Sequence, residues 1–78
     1  MEQWLYDSLL SLSLGNSVQF EEIRGFKLWH ALASWLQEHG IKYNIKVVGS
    51  GMLVDYSFTI DRRCAGRLGR ILDKVDVV

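Results

Sequence analysis

Residues 41–61 contain two runs of alternating apolar and polar residues on either side of a glycine-rich break. A period of two is typical of half-buried strands, so the pattern predicts an antiparallel β-hairpin. A two-residue loop at Ser50 and Gly51 would bring the apolar residues of the two strands opposite each other, whereas a shift of one residue would mix the two faces. The predicted pairs are Ile41 with Ile60, Tyr43 with Phe58, Ile45 with Tyr56, Val47 with Val54 and, on the polar face, Lys46 with Asp55.

Residues 25–39 show the helical period most clearly. Gly40 follows them, in the position where a left-handed residue ends a helix at the least cost. Trp29 and Trp35 would also suit a stacking site for a ligand, but the aromatic residues of the hairpin favour packing in the core. The predicted buried face consists of Leu28, Leu32, Trp35, Leu36 and His39, with Trp29 at its edge.

A second helix is predicted near the start of the chain, over residues 2–14. Leu5, Leu9 and Leu12 lie there at positions i, i+4 and i+7. The end of this segment also alternates leucine with serine, so a strand that turns at Gly15 is the alternative for those residues.

The last predicted helix covers residues 62–74, with Asp61 as its N-cap. Between the first two helices, residues 17–23 alternate loosely and predict a short third strand from Val18 to Ile23. The start of a helix that continues through Gly25 is the alternative there. The buried stripe of the last helix is predicted to hold Cys64, Leu68, Ile71, Leu72 and Val75.

These elements predict one small α+β domain over residues 1–78, with the order αβαββα and an antiparallel sheet of two or three strands packed with three helices. A different assignment is open at the end of the chain. Val75, Val77 and Val78 alternate with polar residues and would suit a terminal strand. With that strand, the order after the first helix would be βαββαβ, the ferredoxin-like arrangement.

The composition suits an ordered domain near the lower size limit for a single core, with 49% hydrophobic residues and no proline in 78. Cys64 is the single cysteine, which excludes an intramolecular disulfide and predicts a buried thiol in a reducing, cytoplasmic setting. No stretch approaches the roughly eighteen apolar residues of a membrane span, so a membrane partner is not expected.

The nine basic and nine acidic residues cancel, but they are distributed unevenly. Residues 1–40 contain five acidic and two basic residues, whereas residues 41–78 contain seven basic and four acidic ones. We therefore expect the molecule to have an acidic side and a basic side.

No catalytic, metal or cofactor site is predicted. His30 and His39 point to different faces of one helix, and Cys64 has no neighbouring ligand in the sequence. Glu21 and Glu22 are adjacent in a predicted strand and would point to opposite sides, which does not suit an acid and base pair. The chain is therefore predicted not to be an enzyme.

Four cations in the last predicted helix are the surface feature that indicates a partner. Arg63, Arg67, Arg70 and Lys74 recur at i, i+4, i+7 and i+11, which places them on one helix face, here called the basic stripe. Arg62 adds a further cation in the first turn, where the helix dipole disfavours positive charge. An ordinary solvated face balanced by Asp73 and by the acidic residues of the N-terminal half is the alternative interpretation. The predicted partner-binding residues are Arg62, Arg63, Arg67, Arg70 and Lys74.

Gly66 and Gly69 interrupt the same helix, where each costs about 1 kcal/mol relative to alanine. They lie away from the basic stripe and indicate that another structure approaches that flank closely.

The leading prediction is a small non-enzymatic binding protein that docks its basic helix on an acidic or nucleic-acid-handling protein. Direct binding of RNA or DNA through the same helix is the first alternative, and a small enzyme is the second. The size and the lack of catalytic groups are similar in character to small phage- or plasmid-borne inhibitors that occupy the surface of a larger host protein, although no motif is shared. The leucine-rich first helix further predicts a homodimer through that helix.

Overall fold

The structure, a computed structural model, describes residues 1–21, 25–50 and 53–78, with residues 50 and 53 described by their backbone only. It confirms the α+β class and the order αβαββα. The elements are α1 (Gln3–Ser13), β1 (Val18–Glu21), α2 (Phe26–Glu38), β2 (Tyr43–Ser50), β3 (Leu53–Ile60), a 3-10 turn (Arg62–Cys64) and α3 (Ala65–Leu72).

The three strands form one antiparallel sheet in the order β1-β3-β2. The predicted third strand is confirmed as β1 over Val18–Glu21, and the helical alternative is wrong for those residues. The predicted end of this strand at Ile23 lies outside the described residues. Because β1 and β2 each run antiparallel to β3, they are parallel to each other, and α2 connects them across β3.

The predicted hairpin register is wrong by two residues. Tyr43 lies opposite Ile60, and Lys46 lies opposite Ser57 instead of Asp55. The physical reason is that the backbone N–H of Ile41 donates to the Leu36 carbonyl at the end of α2 (2.9 Å), so Ile41 is held in the helix cap and does not begin the strand. A shift of two leaves every side chain on its predicted face, so the alternating pattern fits both registers equally well.

The loop of that hairpin was predicted at Ser50 and Gly51. Ser50 is instead the last residue of β2 and pairs with Leu53, and the rest of the loop lies outside the described residues.

Aromatic contacts join the helices to one face of the sheet. Trp4 of α1 meets Phe20 edge to face with ring centres 6.5 Å apart, and Phe20 meets Phe58 in the same way at 5.8 Å. Trp29 of α2 lies 5.1 Å from Tyr56, measured between ring centres. Phe58 of β3 is fully buried where these helices pack on the sheet.

Helix α1 packs inside the chain, against α3 and against β1 and β3. Leu9 and Leu12 have no exposed surface, and the helix continues to Ser13, so the strand alternative for its end is wrong. The sequence predicts a homodimer through this helix because its apolar side chains outnumber those that one sheet face of the same chain can cover. The fold weakens that reason, because Leu9 and Leu12 are covered within the chain; Leu10 of α1 and Leu14, which follows the helix, are exposed.

Helix α2 buries a face that is rotated from the predicted one. Leu32, Ala33 and Leu36 are buried, whereas Leu28 and His39 are exposed. The rotation follows from Trp29, which packs on the sheet and brings the stripe of Trp29, Leu32, Ala33 and Leu36 against it. Trp29 is half-buried and packs against the core, and Trp35, which was predicted on the buried face, is likewise only half-buried.

Gly40 ends α2 as predicted, with a φ of 67°. Its N–H donates to the Gln37 carbonyl (3.1 Å), and Ile41 closes the motif through its bond to Leu36. This paired arrangement satisfies two of the carbonyls that a helix end leaves without partners.

The last helix is shorter than predicted. Residues 62–64 form the 3-10 turn, and α3 ends at Leu72. Asp61 caps the 3-10 turn, because its carboxylate accepts a hydrogen bond from the Arg63 N–H (2.9 Å), whereas α3 itself begins after Cys64.

Residues 75–78 form no strand, so the ferredoxin-like alternative is wrong. The N–H of Val78 donates to the Met1 carbonyl (2.9 Å), and the Met1 amino group donates to the Asp76 carbonyl (2.9 Å), so the end of the chain is bound to its start.

Candidate partner-binding surface

The basic stripe does not follow one continuous α-helix. Arg63 lies in the 3-10 turn, Arg67 and Arg70 lie in α3, and Lys74 lies in the turn after α3. All four residues are exposed, as is Arg62.

Three of the five predicted residues meet at one groove on the surface, here called the basic groove. Arg67, Arg70 and Lys74 line it together with the apolar side chains of Ile71 and Val75, and its volume is about 410 Å³. Arg62 and Arg63 are not among its lining residues. The groove therefore combines a cationic rim with an apolar floor, which suits an amphipathic partner better than a bare run of charge would.

Arg67 differs from its neighbours because it also supports the fold. Its guanidinium donates to the Gly40 carbonyl and lies 3.7 Å from the Cys64 sulfur. The Gly40 carbonyl belongs to the C-terminal end of α2, where the helix dipole favours a cation. Arg67 thus fixes α3 against the end of α2 and holds the groove in place.

Sequence reasoning missed this role of Arg67. The signal was weak: a helix end leaves carbonyls without partners, but no local pattern indicates that an arginine 27 residues away supplies the donor.

The other cations of the stripe have no such contact. Within the described residues, the side chains of Arg63, Arg70 and Lys74 make no hydrogen bond or ion pair, and Asp73 does not pair with them. Asp73 thus makes no direct ion pair with the stripe, and the alternative of an ordinary solvated face stays open. These three cations are available to an acidic ligand without breaking an internal bond.

The two glycines of α3 have no close neighbour that would require them. A Cβ at Gly69 would meet nothing within 4 Å, and one at Gly66 would meet only the Arg70 guanidinium, at 3.9 Å. The close approach that we predicted is not made by any described part of this chain. The backbone at these positions is open toward the outside.

The aromatic residues of α2 act within the fold. Trp29 contacts Tyr56 and Phe58, and its indole N–H is buried without an acceptor. Trp35 stacks on His39, with ring centres 3.8 Å apart, and the His39 Nδ1–H donates to the Trp35 carbonyl (2.8 Å). These contacts account for both rings without a ligand.

The other residues considered for catalysis or metal binding form no cluster in the part of the chain that the structure describes. Cys64 is buried, as predicted for its thiol. Among the described residues, no group of three His, Cys, Asp or Glu side chains is placed to hold a metal ion. The predicted opposition of Glu21 and Glu22 falls partly outside those residues, since only Glu21 is described. In the same part of the chain, no helix has the length and apolar character needed to cross a membrane.

Comparison with known proteins adds no relative. No protein-family model matches the chain. No curated protein and no solved structure matches it at a significant level.

Proposed function

We propose that this protein is a small non-enzymatic binding protein that docks its basic groove on an acidic surface of a larger protein. The observation that carries the proposal is the groove itself, where Arg70 and Lys74 have no internal partner and flank an apolar floor. Protein interfaces combine a desolvated apolar centre with a charged rim that steers the partner into register. The groove has a small apolar centre in Ile71 and Val75 and a charged rim in its three cations.

The apolar floor favours a protein over a nucleic acid. Nucleic-acid phosphates are bound by cations and hydrogen-bond donors, and Ile71 and Val75 supply neither. The overall charge of zero also gives no general attraction to a polyanion. Direct binding of RNA or DNA is therefore the second candidate, supported by the exposed arginines alone.

An inhibitor that occupies a surface of its partner is the mode of action that we propose. Such a mode needs an exposed complementary surface and a stable fold, and it needs no catalytic group. The proposed site of action is the cytoplasm, where the single buried thiol of Cys64 would stay reduced.

The test compares two charge-reversal variants of equal net charge. The groove variant is Arg70→Glu with Lys74→Glu, and it spares Arg67 because that residue supports the fold. The matched control is Lys27→Glu with Lys42→Glu, two exposed cations outside the groove. Both variants should fold, as circular dichroism and thermal midpoints will check, because exposed charges contribute within about 1 kcal/mol each.

Capture of partners from a lysate of the native host, followed by affinity measurement, reads out the function. We expect the parent and the control to bind the same protein and the groove variant to bind it at least about tenfold more weakly, since each 1.4 kcal/mol is roughly a factor of ten. Equal binding by the groove variant would remove α3 from the mechanism. Loss of capture after nuclease treatment, with a log–log salt slope of about −0.9 for each neutralised phosphate, would favour the nucleic-acid candidate instead.

A further inference from the structure

The two edges of the sheet differ in length and character. Within the described residues, β1 covers four residues, whereas β2 covers eight and carries the exposed apolar side chains of Ile45, Val47 and Val48. Val47 is 61% exposed. No described strand pairs with the outer side of β2. A long apolar edge of this kind is a template for another strand.

We propose that a second copy of this chain pairs with β2, antiparallel and about a two-fold axis at Ile45, so that two three-stranded sheets join into one of six strands. The pairing strand is that of a second copy because the side chains of β2 complement themselves in this register and in no neighbouring one.

The register follows from the pleat. The apolar residues of both copies lie on the same face only if odd-numbered residues of one strand lie opposite odd-numbered residues of the other. The two-fold axis must therefore pass through a residue and not between two residues. With the axis at Ile45, Tyr43 of one copy lies opposite Val47 of the other, an aromatic and β-branched pair that stabilises sheets. Lys46 then lies opposite Asn44, so the lysines of the two copies do not meet.

The neighbouring registers fail on charge or packing. An axis at Lys46 sets the two lysines against each other, and an axis at Asn44 sets Lys46 against Lys42. An axis at Val47 places Ile45 opposite Gly49, which has no side chain to pack. Like charges directly opposite each other destabilise a strand pair, so Ile45 is the favoured centre.

The pairing has a consequence for the basic groove. Antiparallel edges pair about a two-fold axis perpendicular to the sheet, so the helices of both copies lie on the same side. The dimer would present two basic grooves from one helical layer, and a partner that engages both would gain affinity by avidity. This consequence rests on the proposed function, whereas the pairing itself does not.

Sedimentation of two matched lysine variants tests the interface. Ile45→Lys places two charges together at the axis, and Leu14→Lys changes an equally apolar, exposed residue at the end of α1. We expect the parent and Leu14→Lys to dimerise with a dissociation constant of roughly micromolar order, as suits a small interface. We expect Ile45→Lys to dissociate at least about tenfold more readily, with an unchanged circular dichroism spectrum.

Cysteine cross-linking reads the register. In a Cys64→Ala background, Ile45→Cys should form an intermolecular disulfide on mild oxidation, because directly opposite residues have Cα atoms about 4.5–5.5 Å apart, within disulfide reach. Lys46→Cys should form it much more slowly, because its counterpart is then two positions away along the strand.

Three results would overturn the proposal. One is a parent chain that stays monomeric at several hundred micromolar. The second is a dimer that Leu14→Lys disrupts and Ile45→Lys does not, which would assign the interface to α1. The third is faster cross-linking at Lys46→Cys than at Ile45→Cys, which would exclude the axis at Ile45.

Discussion

Helices α2 and α3 each place two leucines in the core, yet the rest of their sequences differ. Leu32 and Leu36 of α2 have no exposed surface, and Leu68 and Leu72 of α3 are 0% and 2% exposed. Around its leucines α2 has aromatic rings and alanines over 13 residues, whereas α3 has two arginines and two glycines over eight. The two helices therefore bury their leucines equally, although α3 has the much lower intrinsic helix propensity.

The difference lies in how each helix is stabilised. The aromatic rings of α2 make contacts inside the chain, including the pair of Trp35 and His39, although Phe26 is 52% exposed. α3 is too short and too rich in glycine to be stable by itself, and it is held by the Asp61 cap and by the Arg67 bond to α2. A helix that needs such support and keeps its glycines is the place to look for contact with another molecule.

The largest expected effect tests the equal burial of the two helices. Leu36→Ala and Leu68→Ala should each cost about 3 kcal/mol, because each removes a side chain with no exposed surface and leaves a cavity. That is most of the stability of a domain of this size, so both should lower the Tm by roughly 15 °C or more. Urea and thermal unfolding measure both quantities.

Leu28→Ala is the control for that pair, since Leu28 lies in α2 but is 40% exposed. It should cost about 1 kcal/mol or less. A cost at Leu68 no greater than at Leu28 would mean that α3 is not docked in the core and would end the comparison.

A smaller effect is expected at the edge of α2. Trp35 is only half-buried and stacks on His39, so Trp35→Ala should cost about 2 kcal/mol, less than Leu36→Ala although the side chain is larger. Pairing the change with His39→Ala in a double-mutant cycle isolates the stacking contribution. Complete unfolding of Trp35→Ala would place this ring in the core instead.

The elements were predictable because the apolar periods of two and 3.6 are properties of the sequence itself. The faces of the hairpin followed from the same pattern, although its register did not. Ile41 fits the strand pattern and the end of α2 equally well, and the competition is decided by the Gly40 turn, which directs the Ile41 N–H to Leu36.

The local sequence pattern also did not predict where two backbone segments approach each other closely. Gly25 is buried, and a Cβ there would lie 2.7 Å from the Glu21 carbonyl oxygen, so the start of α2 needs glycine. Residue types alone do not reveal such a distance. The candidate site shows the same limit: the cations were visible as a spacing, but the Arg67 bond to Gly40 depends on how α2 and α3 meet.

The smallest expected effect concerns the glycines, which are present in α3 and absent from α2. Gly69→Ala should stabilise the protein by about 0.5–1 kcal/mol, because a Cβ there meets nothing within 4 Å and alanine is the better helix former. The same change at Gly40 should destabilise it, because the φ of 67° strains any residue with a Cβ. Thermal unfolding of the two variants beside the parent measures this contrast of sign.

Partner capture by the Gly69→Ala protein then decides what the glycine is for. If a partner approaches the open backbone of α3, the added methyl group will weaken capture while the Tm rises. That combination would show a residue kept for contact at the expense of stability. Unchanged capture by the more stable variant would mean that α3 differs from α2 in its function through Arg70 and Lys74 alone, and the groove variant would then be the sharper measure of that difference.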